Sequence, residues 1–134
     1  MRTIALYTTE TMADWEYAYL TTQIASAEHL KPGRFRLLLV GDGLEPVRTL
    51  GNLPLVPEVD LGTLDALAAN GSLAALVIPG GDRYAAGHEK LIEAVGHLVD
   101  KDIPVAAICG ATLLLARGGF LDERRHTSNA ASYL

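Results

Sequence analysis

Hydrophobic and polar positions along the chain fall into short runs of two kinds, strand-like and helical. Thr3 to Thr8 (TIALYT) is the first strand-like run. Polar Thr9-Glu10-Thr11 follows, then Asp14 to Leu30, where Trp15, Tyr19 and Ala27 with Ala18 and Ile24 give an imperfect helical stripe. Pro32-Gly33 ends that helix, Phe35 to Val40 (FRLLLV) predicts a second strand, and Gly41-Asp42-Gly43 predicts its turn. Between Glu45 and Val59, the prolines at 46, 54 and 57 permit only extended or edge pieces, since proline cannot donate to a ladder. Leu61 to Asn70 predicts a short helix closed by Gly71. Leu73 to Ile78 (LAALVI) is continuously apolar, the pattern of a strand covered on both faces, and stops at Pro79-Gly80-Gly81-Asp82. His88 to Lys101 is helical, with Leu91, Ile92, Val95, Leu98 and Val99 on one side. Ile103 to Ile108 is another fully apolar strand, and Ala111 to Arg117 a helix stopped by Gly118-Gly119.

Strands and helices alternating over short connections imply an α/β fold: parallel pairing, right-handed crossovers and helices on both faces of the sheet. The strands from Thr3, Leu73 and Ile103 are expected at its centre. Sites in such sheets collect at the carboxyl ends of strands. That rule brings together three distant segments: Glu10 to Glu16, Pro79 to Asp82, and the turn at Cys109.

Composition narrows the picture. A chain of 134 residues, 49% hydrophobic and 20% charged, supports one core, so a single domain over 1–134 is expected. One cysteine forms no intrachain disulfide and the opening residues carry no secretory pattern, which points to the reducing cytoplasm. No apolar run approaches the roughly 20 residues that span a bilayer. A net charge of −5 argues against nucleic acid as a partner, and Arg124-Arg125-His126 reads as a solvated turn. No metal or cofactor is expected.

The lone thiol sits where an apolar strand turns at once into a helix, with small residues at Ala107, Gly110 and Ala111. This A-x-C-G-A pattern is that of a nucleophile elbow, in which small neighbours let the backbone turn sharply. A thiol there faces the unsatisfied N–H groups of a helix start, which favour thiolate. The alternative is a core cysteine acting as a small hydrophobe. Gly80 and Gly81 read alone as a tight turn, but beside an elbow their N–H groups can approach a developing oxyanion, with the Gly110 N–H as a second donor. Glu16 is either a surface carboxylate favoured by the helix dipole or a partly buried, protonated carboxyl hydrogen-bonding to the Cys109 sulfur.

These residues resemble the PfpI-type intracellular protease/amidase family of the class I glutamine amidotransferase-like superfamily, which includes the parkinsonism-associated protein deglycase. The resemblance spans essentially the whole chain and is carried by ADWE (Ala13 to Glu16), LVIPGG (Leu76 to Gly81) and IPVAAICGATLLLARGGFLDERRHTSN (Ile103 to Asn129). It implies a flavodoxin-like three-layer sandwich with a mostly parallel sheet, a homodimer, Cys109 as nucleophile, Glu16 as its acidic partner, and Gly80, Gly81 and Gly110 as the oxyanion neighbourhood. Gly110 stands where protease-like members carry histidine, and Asn129 stands where other members carry theirs. Asn129 can orient a substrate or bond the thiolate but cannot act as a general base. His126, on its polar turn, and His88, after Gly87, are secondary candidates. The resemblance also implies further strands and a final helix beyond Leu134, and hence a C-terminal segment of the same domain covering the surface around 127–134.

Three function classes follow. Cys109 is a nucleophile acting on a small amide, thioester or carbonyl adduct; or it is an oxidative-stress sensor whose oxidised sulfur Glu16 and nearby N–H groups stabilise; or the domain binds a small ligand without catalysis. The first is preferred. Glutaminase chemistry is disfavoured because it relies on a histidine with a supporting acid.

Overall fold

A computed structural model describes residues 1–130, 132 and 133. The elements run β1 (Arg2–Thr8), α1 (Asp14–Leu30), β2 (Phe35–Gly41), β3 (Val47–Arg48), β4 (Pro54–Leu55), β5 (Val59–Asp60), α2 (Gly62–Ala69), β6 (Leu73–Ile78), α3 (Glu89–Asp100), β7 (Val105–Ala107), a 3-10 turn over Cys109–Ala111, and α4 (Thr112–Arg117). The main sheet has the order β5-β2-β1-β6-β7 and is parallel throughout. It is the flavodoxin-like arrangement, with β1 at its centre. The proline-bounded stretch from 45 to 59 forms a separate antiparallel β3–β4 pair and the short edge strand β5.

Alternation along the strands divides the core between two faces. Ala5, Tyr7, Leu38, Val40, Leu76 and Ile78 point to the side covered by α2, α3 and α4, where Leu64, Leu91, Val95, Leu98 and Leu114 meet them. Leu6 and Val77 point to the other side, joined by Met12 and by partly buried Ile4, Leu37, Leu39, Tyr17 and Leu20.

Two expectations need correction. Trp15 and Tyr19 do not pack inward: they are 63% and 79% exposed, and the inward side of α1 carries Tyr17 and Leu20 instead. The apolar residues of α1 surround the helix with little contrast, so the weak stripe misled. The strand expected over Ile103–Ile108 shrinks to Val105–Ala107 and stands at the edge of the described sheet, with Ala106 exposed. Pro104 lies just outside it, and a groove of about 400 Å³ lined by Val95, Val99, Ile103, Val105, Leu115 and Phe120 runs beside it. The expected covering of 127–134 concerns a stretch whose residues 131 and 134 lie outside those described. Among the described residues, no helix is long and apolar enough to cross a membrane.

Candidate active site

Three loops leave the carboxyl ends of β1, β6 and β7 and meet. The first, 9–13, is held on one side by the β3–β4 pair: the Thr11 N–H donates to the Arg48 carbonyl at 2.8 Å, and the Leu50 N–H to the Met12 carbonyl at 2.9 Å. Asp14 Oδ2 accepts the Gly51 N–H at 2.6 Å, and Asp14 Oδ1 the Tyr17 hydroxyl at 3.1 Å. The Thr49 hydroxyl, then the Gly51 and Tyr17 donors, hold the Asp14 carboxyl below its ordinary range. Tyr17 is pushed up to about 12, by burial first and then by the Asp14 charge it bonds. Thr11 takes a φ of 64°, the left-handed region in which a β-branched residue is strained.

The glycine loop lies against this segment. Gly80 donates its N–H to Glu16 Oε2 at 2.7 Å, and its carbonyl accepts the Ala13 N–H at 2.9 Å. A Cβ at Gly80 would collide with the Glu16 carboxylate, so a side chain there would push Glu16 off the loop. Asp82 donates its N–H to Thr11 Oγ1 at 2.9 Å. Beneath the loop, Tyr84 donates its hydroxyl to the Pro79 carbonyl at 2.6 Å, and burial raises its phenol far above the ordinary value of 10.0.

Cys109 completes the cluster. It has a φ of 52° and is exposed, which removes the core-cysteine reading. A Cβ at Gly110 would stand 2.6 Å from the Gly81 carbonyl oxygen and 3.4 Å from the Gly81 nitrogen, so the elbow touches the glycine loop backbone to backbone. The Tyr133 hydroxyl lies 3.4 Å from the same point. Asn129 donates from Nδ2 to the Cys109 sulfur at 3.2 Å. Its segment is tied to the elbow by Thr112, whose Oγ1 donates to the Cys109 carbonyl at 2.8 Å and pairs with Ser128 Oγ at 2.5 Å.

The structure therefore brings Cys109, Gly110, Gly81 and Asn129 together, with Glu16 against Gly80. Among the described residues, the hydrogen-bond partner of the Glu16 carboxylate is the Gly80 N–H, and that of the sulfur is Asn129. The expected bond from Glu16 to the thiol is not formed. The two histidines stand apart from the sulfur. His126 Nδ1 bonds the Arg124 carbonyl at 2.8 Å on an exposed turn. His88 Nε2 donates to the Arg83 carbonyl at 2.9 Å, which leaves Nδ1 to accept the Tyr7 hydroxyl at 2.9 Å. His88 instead braces the floor of the glycine loop, its ring centroid 4.9 Å from that of Tyr84. Among the described residues, no three His, Cys, Asp or Glu side chains are grouped to hold a metal ion.

Sequence reasoning passed over Thr11, Thr112, Ser128 and Tyr133. Thr11 sat in a stretch read only as polar, and nothing in the residue type signals a positive φ. The hydroxyl pair of Thr112 and Ser128 becomes visible only once the 127–129 segment is folded back on the elbow.

Comparison with known proteins agrees with this fold. The DJ-1/PfpI family profile matches residues 2–133, and the chain belongs to that family. It is similar to the uncharacterized protease YoaZ of Bacillus subtilis, at 35% identity over 99% of this chain and 63% of the relative. It is also similar to the uncharacterized protease YdeA of the same organism, at 33% identity over 87% of this chain and 54% of the relative. Among solved structures, the DJ-1 superfamily protein Atu0886 of Agrobacterium tumefaciens superposes with a TM-score of 0.81 at 31% identity, over 99% of this chain and 66% of that one. A thiJ/pfpI family protein of Bacillus anthracis gives a TM-score of 0.80 at 34% identity, over 99% and 63%. The chain spans less than two thirds of the length of these relatives.

Proposed function

We propose that this chain carries the nucleophile of a cysteine-dependent hydrolase that acts by acyl transfer on a small ester or thioester. The observation that carries the reading is the exposed Cys109, at a φ of 52°, seated beside the Gly81 backbone with an amide donor on its sulfur. A strained, exposed nucleophile next to backbone donors is the arrangement that acyl transfer needs. The Cys109 thiolate attacks the carbonyl carbon. A C–S bond forms, the leaving group departs with the electron pair of the broken bond, and water then releases the acid and restores the thiol. The N–H groups of Gly81 and Gly110 stabilise the oxyanion. Gly80 does not take part, because its N–H is bound to Glu16. The protease names of the two Bacillus relatives support a hydrolase-like class.

Among the described residues no histidine bonds the sulfur, and the Asn129 donor and the backbone stabilise the thiolate, which favours substrates whose leaving groups need no protonation. The test is hydrolysis of p-nitrophenyl acetate, whose phenolate leaves as an anion. The protein should release p-nitrophenolate well above the rate of its Cys109→Ser variant, and equal rates would defeat the proposal. The exposed sulfur with an amide donor also fits an oxidation sensor, in which peroxide converts thiolate to sulfenate with release of water. A protein that is oxidised rapidly at Cys109 yet never acylated would select that reading.

A further inference from the structure

The glycine loop offers consecutive backbone N–H groups at Gly80, Gly81 and Asp82, and neighbouring side chains already hold two of them. Glu16 Oε2 takes that of Gly80 at 2.7 Å, and Thr11 Oγ1 takes that of Asp82 at 2.9 Å. Among the described residues no peptide bond is cis, so each N–H points away from the carbonyl of its own peptide. The Gly80 carbonyl points at the Ala13 N–H, 2.9 Å away. The Gly81 N–H on the same peptide therefore points away from the 9–13 loop and toward the elbow. In the next peptide the Asp82 N–H is turned to Thr11, which turns the Gly81 carbonyl toward Gly110, where a Cβ would meet it at 2.6 Å.

We infer that Thr11 is a positioning residue whose hydroxyl latches the Gly81–Asp82 peptide and thereby sets which glycine-loop groups face Cys109. Glycine lets a peptide plane rotate at little steric cost, so without a latch this one is free to turn. The cost of the latch is visible in its own backbone, since Thr11 is held at a φ of 64° by its N–H bond to Arg48. Thr11 closes the arrangement from behind: a Cβ at Gly81 would meet its carbonyl oxygen and its Oγ1, each at 3.2 Å. A residue that touches neither the sulfur nor a substrate thus holds the Gly81 backbone against Gly110, and with it the place of the Gly81 N–H, whose direction is set by the bond between the Gly80 carbonyl and Ala13. The inference rests on the acyl-transfer reading for its catalytic consequence and on the Asp82 bond alone for its structural one.

Thr11→Val keeps the branched shape and removes the oxygen, whereas Thr11→Ser keeps the oxygen. Acylation of Cys109 by p-nitrophenyl acetate needs an oxyanion donor, but alkylation by iodoacetamide does not. Thr11→Val should slow acylation roughly ten- to a hundredfold while leaving alkylation within about twofold, and Thr11→Ser should restore acylation. Amide exchange of Asp82 should lose protection in the valine variant and keep it in the serine variant. An Asp82 amide as protected in Thr11→Val as in the wild type overturns the latch. So does acylation that is unchanged, or that falls only in parallel with alkylation. A wild-type protein that alkylates but never acylates overturns the acyl-transfer reading instead, and Asp82 exchange then decides the latch by itself.

Discussion

Helices α3 and α1 lie against opposite faces of one sheet and are used differently. Helix α3 sinks Leu91, Ala94, Val95 and Leu98 into the larger apolar cluster and meets α2 across His97 and Asp65, 3.2 Å apart. In α1, none of the 17 residues is fully buried, and its aromatic Trp15 and Tyr19 face outward. Yet α1 supplies both carboxylates that organise the site end of the molecule, Asp14 on the β3–β4 turn and Glu16 on the glycine loop. One face stabilises the fold by burial; the other places polar groups. The left-handed Thr11 sits on the second face, where a hydrogen bond to the Arg48 carbonyl and one from the Asp82 N–H hold its strain.

That contrast can be broken by substitution. Leu98→Ala, at a position with no exposed surface, should cost about 2–5 kcal/mol of stability by cavity formation, read as a lower urea midpoint with little change in slope. If it cost no more than a surface substitution, the division between the faces would be wrong. A change of pH should also reach the buried phenols on the α3 side. Burial raises Tyr7 and Tyr84 above 10.0 in the folded chain, so the stability they contribute is complete below pH 10 and is lost as the pH climbs toward their folded values. Tyr84→Phe should flatten part of that alkaline decline in urea titrations. Asp14 acts with the opposite sign. Its lowered carboxyl contributes stability above 3.8 that disappears as the pH falls through its folded value, and Asp14→Asn should weaken that acid sensitivity.

On the α1 side the effects should fall on chemistry. Glu16→Leu strands the Gly80 N–H and should slow acylation about tenfold, while Glu16→Gln keeps an acceptor and should slow it far less. Equal losses in the two variants would show that charge, and not the bond to Gly80, is what matters. Asn129→Ala removes the amide donor from the sulfur and should slow iodoacetamide alkylation at pH 7 by about three- to tenfold, the lost hydrogen bond being offset in part by a more basic nucleophile. The smallest effect is expected at Tyr19→Ala, within about 0.5 kcal/mol of wild-type stability, because the side chain is 79% exposed.

What could be read from the sequence divides along the same line. β1, β6 and the inward stripe of α3 were legible because burial imposes long, regular apolar patterns bounded by glycine and proline. The convergence of the Cys109, Gly81 and Glu16 segments followed from strand polarity alone. The inward side of α1 was not legible, since a helix that buries little leaves little contrast between its faces. Nor was the partner of Glu16: its place in the first turn was readable, but whether it would meet a thiol or a backbone N–H depends on ångström-scale docking of the glycine loop. Thr11 left no trace because a positive φ in threonine is imposed by its surroundings and has no residue preference to announce it.

The central claim is that Cys109 is an acylated nucleophile, and trapping the intermediate tests it most directly. The protein is mixed with p-nitrophenyl acetate, quenched in acid within the first turnover, digested and examined by mass spectrometry. The account predicts one acetyl group on the peptide bearing Cys109, formed together with the burst of p-nitrophenolate and absent from Cys109→Ser. A burst without acetyl-Cys109, or an acetyl group found only on lysines and retained in Cys109→Ser, would contradict it.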